Sequence, residues 1–180
     1  GARFVGIQNE YSLLHREPED GMLDACHEAD VAFVPYFPLK SGLLTGKYRL
    51  GEEPPAGSRM SGQDAMKKAL NQDTWAKITA LEKFAQDRGR SLLELAHAWL
   101  LATPAVDSVI SGATKPEQVV ANAKGVDWKL STEDMAAIDA ACMDMDGEEE
   151  AALRAARDIG EGTDEGDRPE LNALHHTPGL

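Results

Sequence analysis

The pattern of apolar positions along the chain predicts alternating strands and helices. Residues 4–8 and 31–37 are short apolar runs with β-branched and aromatic residues, which is typical of buried strands. The second run is apolar at successive positions, as expected for a parallel strand that helices cover on both faces. Pro35 within it has no N–H group, which predicts that hydrogen bonding fails near the C-terminal end of this strand. Residues 107–111 are predicted to form a third strand.

Helical spacing and capping residues predict helices after the first two strands. The first helix is expected over residues 18–29, with inward positions at Met22, Leu23, Ala25 and Cys26. Asp73 is expected to cap a second helix over residues 74–88, whose apolar face carries Trp75, Ile78, Leu81 and Ala85. Gly89 is expected to end that helix.

Three sequences of the capping-box type predict three further helices, because Ser or Thr is followed three residues later by an acid. They are Ser91–Glu94, Thr114–Glu117 and Ser131–Asp134. The helices that they open are expected to run to about residues 101, 124 and 142. In the first of them, the inward positions are Leu92, Ala96 and Trp99.

This alternation implies an α/β fold with a parallel sheet and right-handed crossovers. Three strands neither close a barrel nor make a stable open sheet, so we expect further strands outside this chain. Residues 38–73 form a long connection rich in Gly, Pro and Ser. A connection of that length without regular structure is usually functional or disordered.

Composition and charge favour one folded domain followed by an acidic tail. The chain has 180 residues, of which 42% are apolar, and a formal net charge of −13. Eleven of the 31 acidic residues lie in residues 144–180, where large apolar residues are rare. We therefore expect a folded domain over residues 1–146 and a disordered tail over residues 147–180. The acidic excess argues against a nucleic acid or an anionic membrane as the main partner.

The chain shows neither a membrane-spanning run of about 18 apolar residues nor a start that resembles a signal peptide. Cys26 and Cys142 lie far apart, each within a predicted helix. Two buried free thiols in a reducing, cytoplasmic location are expected. His175 and His176 in the tail have no carboxylate or cysteine spaced to join them, so no metal site is expected.

Two loops that follow predicted strands combine glycine, hydroxyl and basic residues. Residues 38–47 carry two Gly, one Ser, one Thr and two Lys, and Arg59 follows in the same connection. Residues 111–117 lead into a helix N-terminus, where free N–H groups and the helix dipole favour an anion and Lys115 adds a full charge. In (β/α)8 barrels, such loops frequently form a phosphate site. The residues alone leave both phosphate or nucleotide binding and ordinary turn chemistry open.

Three blocks of this sequence are similar to the last three strand–loop blocks of the aldo-keto reductases. They are residues 8–14, residues 34–48, and residues 109–118 with Asn122, in the order and at the spacing of that family. Residues from Leu130 onward resemble the eighth barrel helix of the family, so the resemblance covers about residues 4–143. It implies that this chain is the C-terminal half of a (β/α)8 TIM barrel, with strands six to eight and their outer helices. It also implies reduction of aldehydes or ketones by hydride transfer from NADP(H).

The resemblance further implies a set of cofactor-binding residues. Gln8 would bind the nicotinamide carboxamide, Tyr36 would stack under the nicotinamide ring, and Asn122 would reach the adenine. The loop after the second strand would contact the phosphates with Phe37, Pro38, Leu39, Lys40, Ser41, Lys47 and Arg59. The last loop would surround the 2′-phosphate and ribose with Gly112, Ala113, Thr114, Lys115 and Gln118.

Several positions depart from the family pattern. Phe37 stands where a serine is usual, Lys40 where a small residue is common, and Ala121 where an acid is often found. The resemblance still implies NADP(H) rather than NAD(H), with Thr114 and Lys115 supplying the selectivity for the 2′-phosphate without the basic residues that some relatives carry there. Purely structural roles also stay open, since Tyr36 could be a core aromatic and Gln8 a satisfied buried amide. The basic residues at positions 40, 47 and 59 could equally be solvated charges.

No catalytic residue is assigned within this chain. The proton donor of the family is a tyrosine assisted by a lysine, an aspartate and a histidine, all on strands before the matched blocks. Neither Tyr11 nor Tyr48 stands in the matching register, and His97 is expected to be a core residue of an apolar helix. We therefore expect the full barrel to be the reductase and this chain alone to be inactive.

The expected partners are a small carbonyl substrate of the full protein and something that covers the open strand edges. That cover would be the missing N-terminal half or a second copy of the chain. Two alternatives stay open: a non-catalytic NADP(H)-binding regulatory subunit, as channel β-subunits of this superfamily are, and an inactive truncated product. A dehydration or sugar-phosphate barrel that shares only the phosphate site is a weaker rival than the regulatory subunit.

Overall fold

A computed structural model describes residues 3–58, 60 and 71–142 of the chain. It contains two parallel strands, β1 (Gly6–Glu10) and β2 (Ala32–Tyr36), joined through a 3-10 helix (Glu17–Glu19) and α1 (Met22–Glu28). The strands pair in parallel with Gln8 opposite Val34. Arg59 and the predicted tail from residue 147 lie outside the described residues, so the predicted domain boundary stays a prediction.

Both strands are confirmed, with shifted ends. β1 begins two residues later than predicted, and Phe4 and Val5 before it are 82% and 81% exposed rather than buried. Their apolar character predicted a strand, but the described part of the chain offers them no neighbouring element to pack against. β2 is one residue shorter than predicted at each end.

The single helix predicted over residues 18–29 is wrong in its first half. Gly21 has a φ of +93°, which ends the preceding 3-10 turn and lets α1 begin only at Met22. Because α1 is short, only Leu23 and Cys26 are buried, whereas Met22 and Ala25 are exposed. Three-residue spacing therefore sets the inward face of this helix.

The predicted third strand over residues 107–111 is wrong as a strand. Residues 105–111, the third segment, make one parallel bridge, between Phe33 and Val106. Its hydrogen bonds run from Phe33 N to Ala105 O and from Asp107 N to Phe33 O. The next bond of a parallel ladder would come from the N–H of Pro35, which proline lacks. The segment bonds β2 again only where Ile110 N donates to Pro35 O at 3.0 Å.

Two long helices follow the connection between residues 38 and 71. α2 (Gln72–Gln86) is capped by Asn71, whose Oδ1 accepts from Thr74 N at 2.7 Å, so the predicted Asp73 cap is wrong. Asn71 lies where its side chain reaches the third helical N–H, and Asp73 is already inside the first turn. The predicted buried face is confirmed at Trp75, Ile78, Leu81 and Ala85.

α3 (Leu92–Ala102) begins at the predicted capping box. Ser91 Oγ accepts from Glu94 N, and Glu94 Oε2 accepts from Ser91 N at 2.9 Å. Because α3 packs against several elements at once, it has buried residues on almost every side. The predicted inward residues Leu92, Ala96 and Trp99 are confirmed as buried.

The helix after the third segment, α4 (Pro116–Ala123), is capped differently from the prediction. Gln118 Oε1, rather than Glu117, accepts from Thr114 N and Lys115 N at 2.7 and 3.2 Å. The helix starts one residue later than the Thr–Glu spacing assumes, so the third helical position falls on Gln118. A 3-10 turn (Lys124–Asp127) follows.

Residues 132–142 form the last described helix, α5, and its predicted opening is confirmed. Ser131 N donates to Asp134 Oδ2, and Asp134 N donates to Ser131 Oγ, both at 3.1 Å. Ile138 and Cys142 of this helix are buried in the core. Cys26 is also buried, and both thiols are free.

Arg16 joins the loop after β1 to α3 and α5. Its guanidinium forms ion pairs with Glu19 at 2.7 Å and with Asp139 at 2.8 Å. The same group lies 5.1 Å from the ring centroid of Trp99, in cation–π geometry. Burial alone would lower the pKa of Arg16, but the hydrogen bonds to Glu19 and Asp139 outweigh it and raise that pKa.

One outer surface of the described chain is apolar and exposed. None of the residues of α4 is buried, and Val119, Val120 and Val126 are 58%, 63% and 51% exposed. Ile110, at the end of the third segment, is 44% exposed. A helix without a buried face gains little from packing, so these residues mark a surface that a larger fold would cover.

Candidate functional site

The carboxyl ends of the two strands bring three polar or aromatic side chains to one face. In parallel pairing, Gln8 lies opposite Val34 and Glu10 lies opposite Tyr36. Alternate residues point to opposite faces, so Gln8, Glu10 and Tyr36 share a face. The helices pack on the other face, where Phe33 and Pro35 are buried. Gln8 is exposed and Tyr36 is 36% exposed, so both are accessible and neither is a core residue.

The loop after β2 has a strained backbone. Phe37, Lys40 and Ser41 have φ values of +55°, +41° and +57°, in the left-handed region that non-glycine residues seldom adopt. Each such residue costs on the order of 1–3 kcal/mol, and such residues cluster at functional sites. The loop is held by bonds from Lys40 N to Phe37 O and from Gly42 N to Leu39 O, within the 3-10 segment Lys40–Thr45.

In the strained loop, the side chain of Phe37 is exposed and that of Pro38 is buried. Phe37 is 46% exposed, and its ring lies 5.2 Å from that of Tyr36 with an interplanar angle of 75°. Pro38 is buried behind them. Phe37 therefore packs against the Tyr36 ring in a T-shaped contact, and Tyr36 keeps part of its surface accessible.

The two lysines of this loop are both engaged. Lys40 forms an ion pair with Glu10 across the end of β1. Lys47 Nζ lies 4.9 Å from the ring centroid of Tyr48 and beside Gly42, where an added Cβ would come within 3.4 Å of it. Lys40 and Lys47 are thus held at the loop rather than free in solvent, although neither contact itself points to a ligand.

The second loop reaches the same edge of the sheet. The bond from Ile110 N to Pro35 O places residues 111–115 next to the end of β2. Gly112, Ala113, Thr114 and Lys115 are exposed there. In the described part of the chain, the ammonium group of Lys115 is paired with no carboxylate. Asn122, one turn beyond Gln118 on α4, is partly buried.

Three donors of this loop converge on one oxygen atom. Gln118 Oε1 accepts from Thr114 N at 2.7 Å, from Thr114 Oγ1 at 3.1 Å and from Lys115 N at 3.2 Å. Two of them are backbone N–H groups at the N-terminus of α4, where the helix dipole favours negative charge. The arrangement can hold an anionic oxygen in place of the amide oxygen.

A hydrogen bond that sequence reasoning missed ties this loop to α3. His97 is 4% exposed, as expected of a core residue, but its Nε2 lies 2.9 Å from Ser111 Oγ. Its Nδ1 lies 2.9 Å from Leu93 O. Burial lowers the pKa of His97, and the bond to the Leu93 carbonyl partly opposes that. A histidine within an apolar helix was the available signal, because a buried imidazole needs partners for both nitrogens.

The described residues contain no group of three or more His, Cys, Asp or Glu side chains placed to hold a metal ion. Within the same residues, no helix combines the length and apolar character needed to cross a membrane. Tyr11 is 2% exposed, its hydroxyl donates to Glu19 Oε1 at 2.9 Å, and burial raises its pKa. Tyr48 is 4% exposed. Neither tyrosine is presented to a ligand.

A parallel strand–helix arrangement with two irregular loops at the carboxyl ends of its strands is typical of β/α-barrel proteins, which place their ligand sites at that end. The model of the aldo/keto reductase family matches residues 1–142. This chain belongs to the aldo/keto reductase family, whose members are oxidoreductases that typically use a nicotinamide cofactor.

Relatives of known name cover both enzymes and channel subunits. The chain is 39% identical over 124 residues to a probable voltage-gated potassium channel subunit beta of Oryza sativa, covering 67% of this chain and 38% of that protein. It is 34% identical over 139 residues to L-glyceraldehyde 3-phosphate reductase of Escherichia coli, covering 73% and 40%. The chain thus spans about two fifths of the length of these relatives.

Solved structures confirm the fold class. The glycerol dehydrogenase of Gluconobacter oxydans superimposes with a TM-score of 0.64 and 25% identity, covering 93% of this chain and 46% of that structure. A thermostable aldo-keto reductase superimposes with a TM-score of 0.55 and 26% identity over 77% of this chain and 40% of that structure. The chain is therefore an α/β fold that forms part of a TIM barrel.

Proposed function

We propose that this chain supplies the NADP(H)-binding part of an aldo-keto reductase that reduces aldehydes or ketones to alcohols. One observation carries the proposal: Gln8 and Tyr36 share one face of the sheet, and the bond from Ile110 N to Pro35 O starts the loop from Gly112 to Gln118 at the same end of the strands. A dinucleotide is long enough to need contacts from several strand ends at once. This end of the strands supplies an amide, an accessible ring and a loop whose N–H groups can bind an anion.

The residues at the strand ends fit the nicotinamide half of such a cofactor. Tyr36 is 36% exposed and is held by a T-shaped contact with Phe37, so an aromatic group could stack on its accessible surface. Gln8, on the same face, carries an amide that can pair with a carboxamide. When bound, the cofactor supplies the hydride, whereas these side chains orient the ring.

The residues of the two loops fit the phosphates. Leu39 and Ser41 lie on the strained turn, where the backbone can approach a pyrophosphate closely. The donors from Thr114 and Lys115 that now meet Gln118 Oε1 suit a phosphate oxygen, and the ammonium of Lys115 adds charge. This donor set favours NADP(H) over NAD(H), because only NADP(H) carries a 2′-phosphate. Asn122 would reach the adenine from α4.

The chain itself would not complete the reaction. A general acid must lie within hydrogen-bond reach of the carbonyl oxygen that receives the hydride. Tyr11 is bonded to Glu19 inside the core and Tyr48 is buried, so neither can serve. The family's tyrosine, lysine, aspartate and histidine would come from sequence that the matched blocks do not include.

A regulatory role is the second candidate, because a relative at 39% identity is named as a potassium channel subunit beta. In that case, the same site would sense the nicotinamide cofactor on behalf of a partner protein. Upstream sequence with all four catalytic side chains would favour the enzyme.

Titration of the purified 180-residue chain with NADPH and NADH, followed by nicotinamide fluorescence, tests the cofactor proposal. We expect saturable binding with NADPH tighter than NADH, and no carbonyl reduction by this chain. A folded chain that binds neither cofactor would remove the proposal. Reduction by the chain, free of contaminating reductase, would contradict its assigned role as a cofactor-binding part.

A further inference from the structure

A buried polar contact connects the helix α3 to the second loop, residues 111–115, at Ser111. His97 and Ser12 are the only buried polar or charged side chains of the described residues, and His97 lies among the apolar residues of α3. An imidazole in such surroundings is costly unless both nitrogens are bonded. Leu93 O and Ser111 Oγ provide those two bonds at 2.9 Å each.

The chemistry of the partners determines which nitrogen carries the proton. The Leu93 carbonyl can only accept, so Nδ1 of His97 must donate to it. Nε2 of the neutral ring is then an acceptor, and the hydroxyl of Ser111 donates to it. The orientation of the Ser111 side chain is therefore determined from inside the core, one residue before Gly112.

The first residues of the second loop make few other hydrogen bonds. Ile110 N donates to Pro35 O, and the next bonds along the loop are the local ones from Thr114 and Lys115 to Gln118. Between positions 110 and 114, the Ser111–His97 contact is the one hydrogen bond that the described residues make to the rest of the protein. The position of the loop thus depends on His97 at that end.

His97 also contacts the segment that follows α4. A Cβ added to Gly125 would lie 2.5 Å from the Cβ of His97 and 2.9 Å from Glu94 O. Gly125 therefore allows the 3-10 turn after α4 to lie directly on His97. His97 therefore contacts both the start of the loop, at Ser111, and the turn that follows α4, at Gly125.

We propose that His97 is a positioning residue: through Ser111 it sets the loop from Gly112 to Gln118 in the geometry that grips a 2′-phosphate. This inference rests on the proposed function, because it concerns how that site discriminates NADPH from NADH. His97 touches no ligand itself. Its action passes through one hydroxyl group and the backbone that follows.

The test compares three single variants and one double variant of the 180-residue chain: His97→Leu, His97→Gln, Ser111→Ala, and His97→Leu with Ser111→Ala. We expect His97→Leu and Ser111→Ala each to weaken NADPH binding by about five- to tenfold, the factor that the loss of one hydrogen bond gives. NADH binding should change by less than about twofold. The double variant should be no weaker than either single variant, because both remove the same bond.

His97→Gln is the conservative control, because its amide can reach Ser111 from the same helix position and should restore most of the NADPH affinity. Equal weakening of NADPH and NADH in the Leu variant, with no rescue by Gln, would show a general packing role and overturn the proposal. Ser111→Ala leaves the α3 core intact, so it keeps the test decisive if His97→Leu is unstable.

Hydrogen exchange of the cofactor-free chain separates this proposal from the proposed function. Amides of residues 111–118 should exchange faster in His97→Leu and Ser111→Ala than in the parent, and at the parent rate in His97→Gln. Unchanged exchange in the first two variants would contradict the positioning role even if the parent binds no NADPH. If the parent chain binds no cofactor but exchange is still faster in these two variants, the positioning role of His97 is supported and only the proposed function is removed.

Discussion

Ile110 N donates to Pro35 O at 3.0 Å, and this bond places the second loop beside Tyr36. Hydrogen bonding between β2 and the third segment is interrupted before this bond, because Pro35 has no N–H group to donate. The bond from Ile110 N resumes it. A proline in β2 therefore ends regular pairing with the third segment at the edge where the proposed cofactor site begins. Regular sheet structure therefore ends beside Tyr36 and Phe37, whose side chains are exposed.

Substitution of Gln118, which caps α4, should change the cofactor preference. Gln118→Glu keeps the capping geometry but places a carboxylate on the donors that a 2′-phosphate would use, so we expect NADPH binding to weaken by at least about tenfold. NADH binding should change little. Fluorescence titration of both cofactors measures this, with the exposed neighbour Glu117→Gln as the control. A parallel loss of both cofactors would contradict the assignment of this loop to the 2′-phosphate.

The ion pair between Lys40 and Glu10 predicts opposite effects from its two partners. Glu10→Gln releases the Lys40 ammonium, which should tighten NADPH binding by about two- to fivefold, whereas Lys40→Met should weaken it by a similar factor. The two effects should shrink together as salt is raised. If Glu10→Gln weakens binding as much as Lys40→Met does, the pair serves only to hold the loop.

The contacts of Arg16 predict a stability effect. Arg16→Met removes two ion pairs and a cation–π contact while its side chain is only 24% exposed, so we expect a loss of about 2 kcal/mol of unfolding free energy. Lys83→Met is the matched control, because it breaks an exposed pair with Asp87 and should cost about 0.5 kcal/mol or less. Denaturant unfolding of the chain measures both. Equal costs would show that the Arg16 network stabilises no more than an ordinary surface pair.

His97 predicts a pH dependence of stability. Burial lowers its pKa in the folded chain below the unfolded value of about 6.5, so the unfolded state binds more protons in that interval. The unfolding free energy should therefore fall as the pH drops below about 6.5, and level off below the folded pKa. Comparing denaturant unfolding at about pH 5 and about pH 7.5 should show a smaller difference in His97→Gln than in the parent. The same difference in both proteins would contradict this cause.

Local signals explain what the sequence predicts well. Ser91 and Ser131 begin helices because their capping partners lie only three residues away. The buried face of α2 follows from its helical spacing alone. The start of the first predicted helix is misplaced, because apolar spacing does not reveal the left-handed turn at Gly21.

The site depends more on contacts between distant residues. The resemblance implies one site for Gln8, Tyr36 and the second loop. The parallel register brings Gln8 and Tyr36 to one face, and the bond from Ile110 N to Pro35 O starts the second loop at the same end of the strands. No local pattern reveals that Lys40 pairs with Glu10, or that His97 bonds Ser111 across 14 residues. The third segment is predicted as a strand because its composition is that of one. Its pairing is set by a proline in another strand.

We claim that the loop after β2 and the loop before α4 bind one phosphorylated nicotinamide dinucleotide together. Hydrogen exchange of the chain with and without NADP+ is the measurement that checks this. We predict that saturating NADP+ slows amide exchange in residues 36–47 and in residues 111–122 at once, with little change in α2. Protection of one loop without the other, or of neither loop in a folded chain, would contradict the claim.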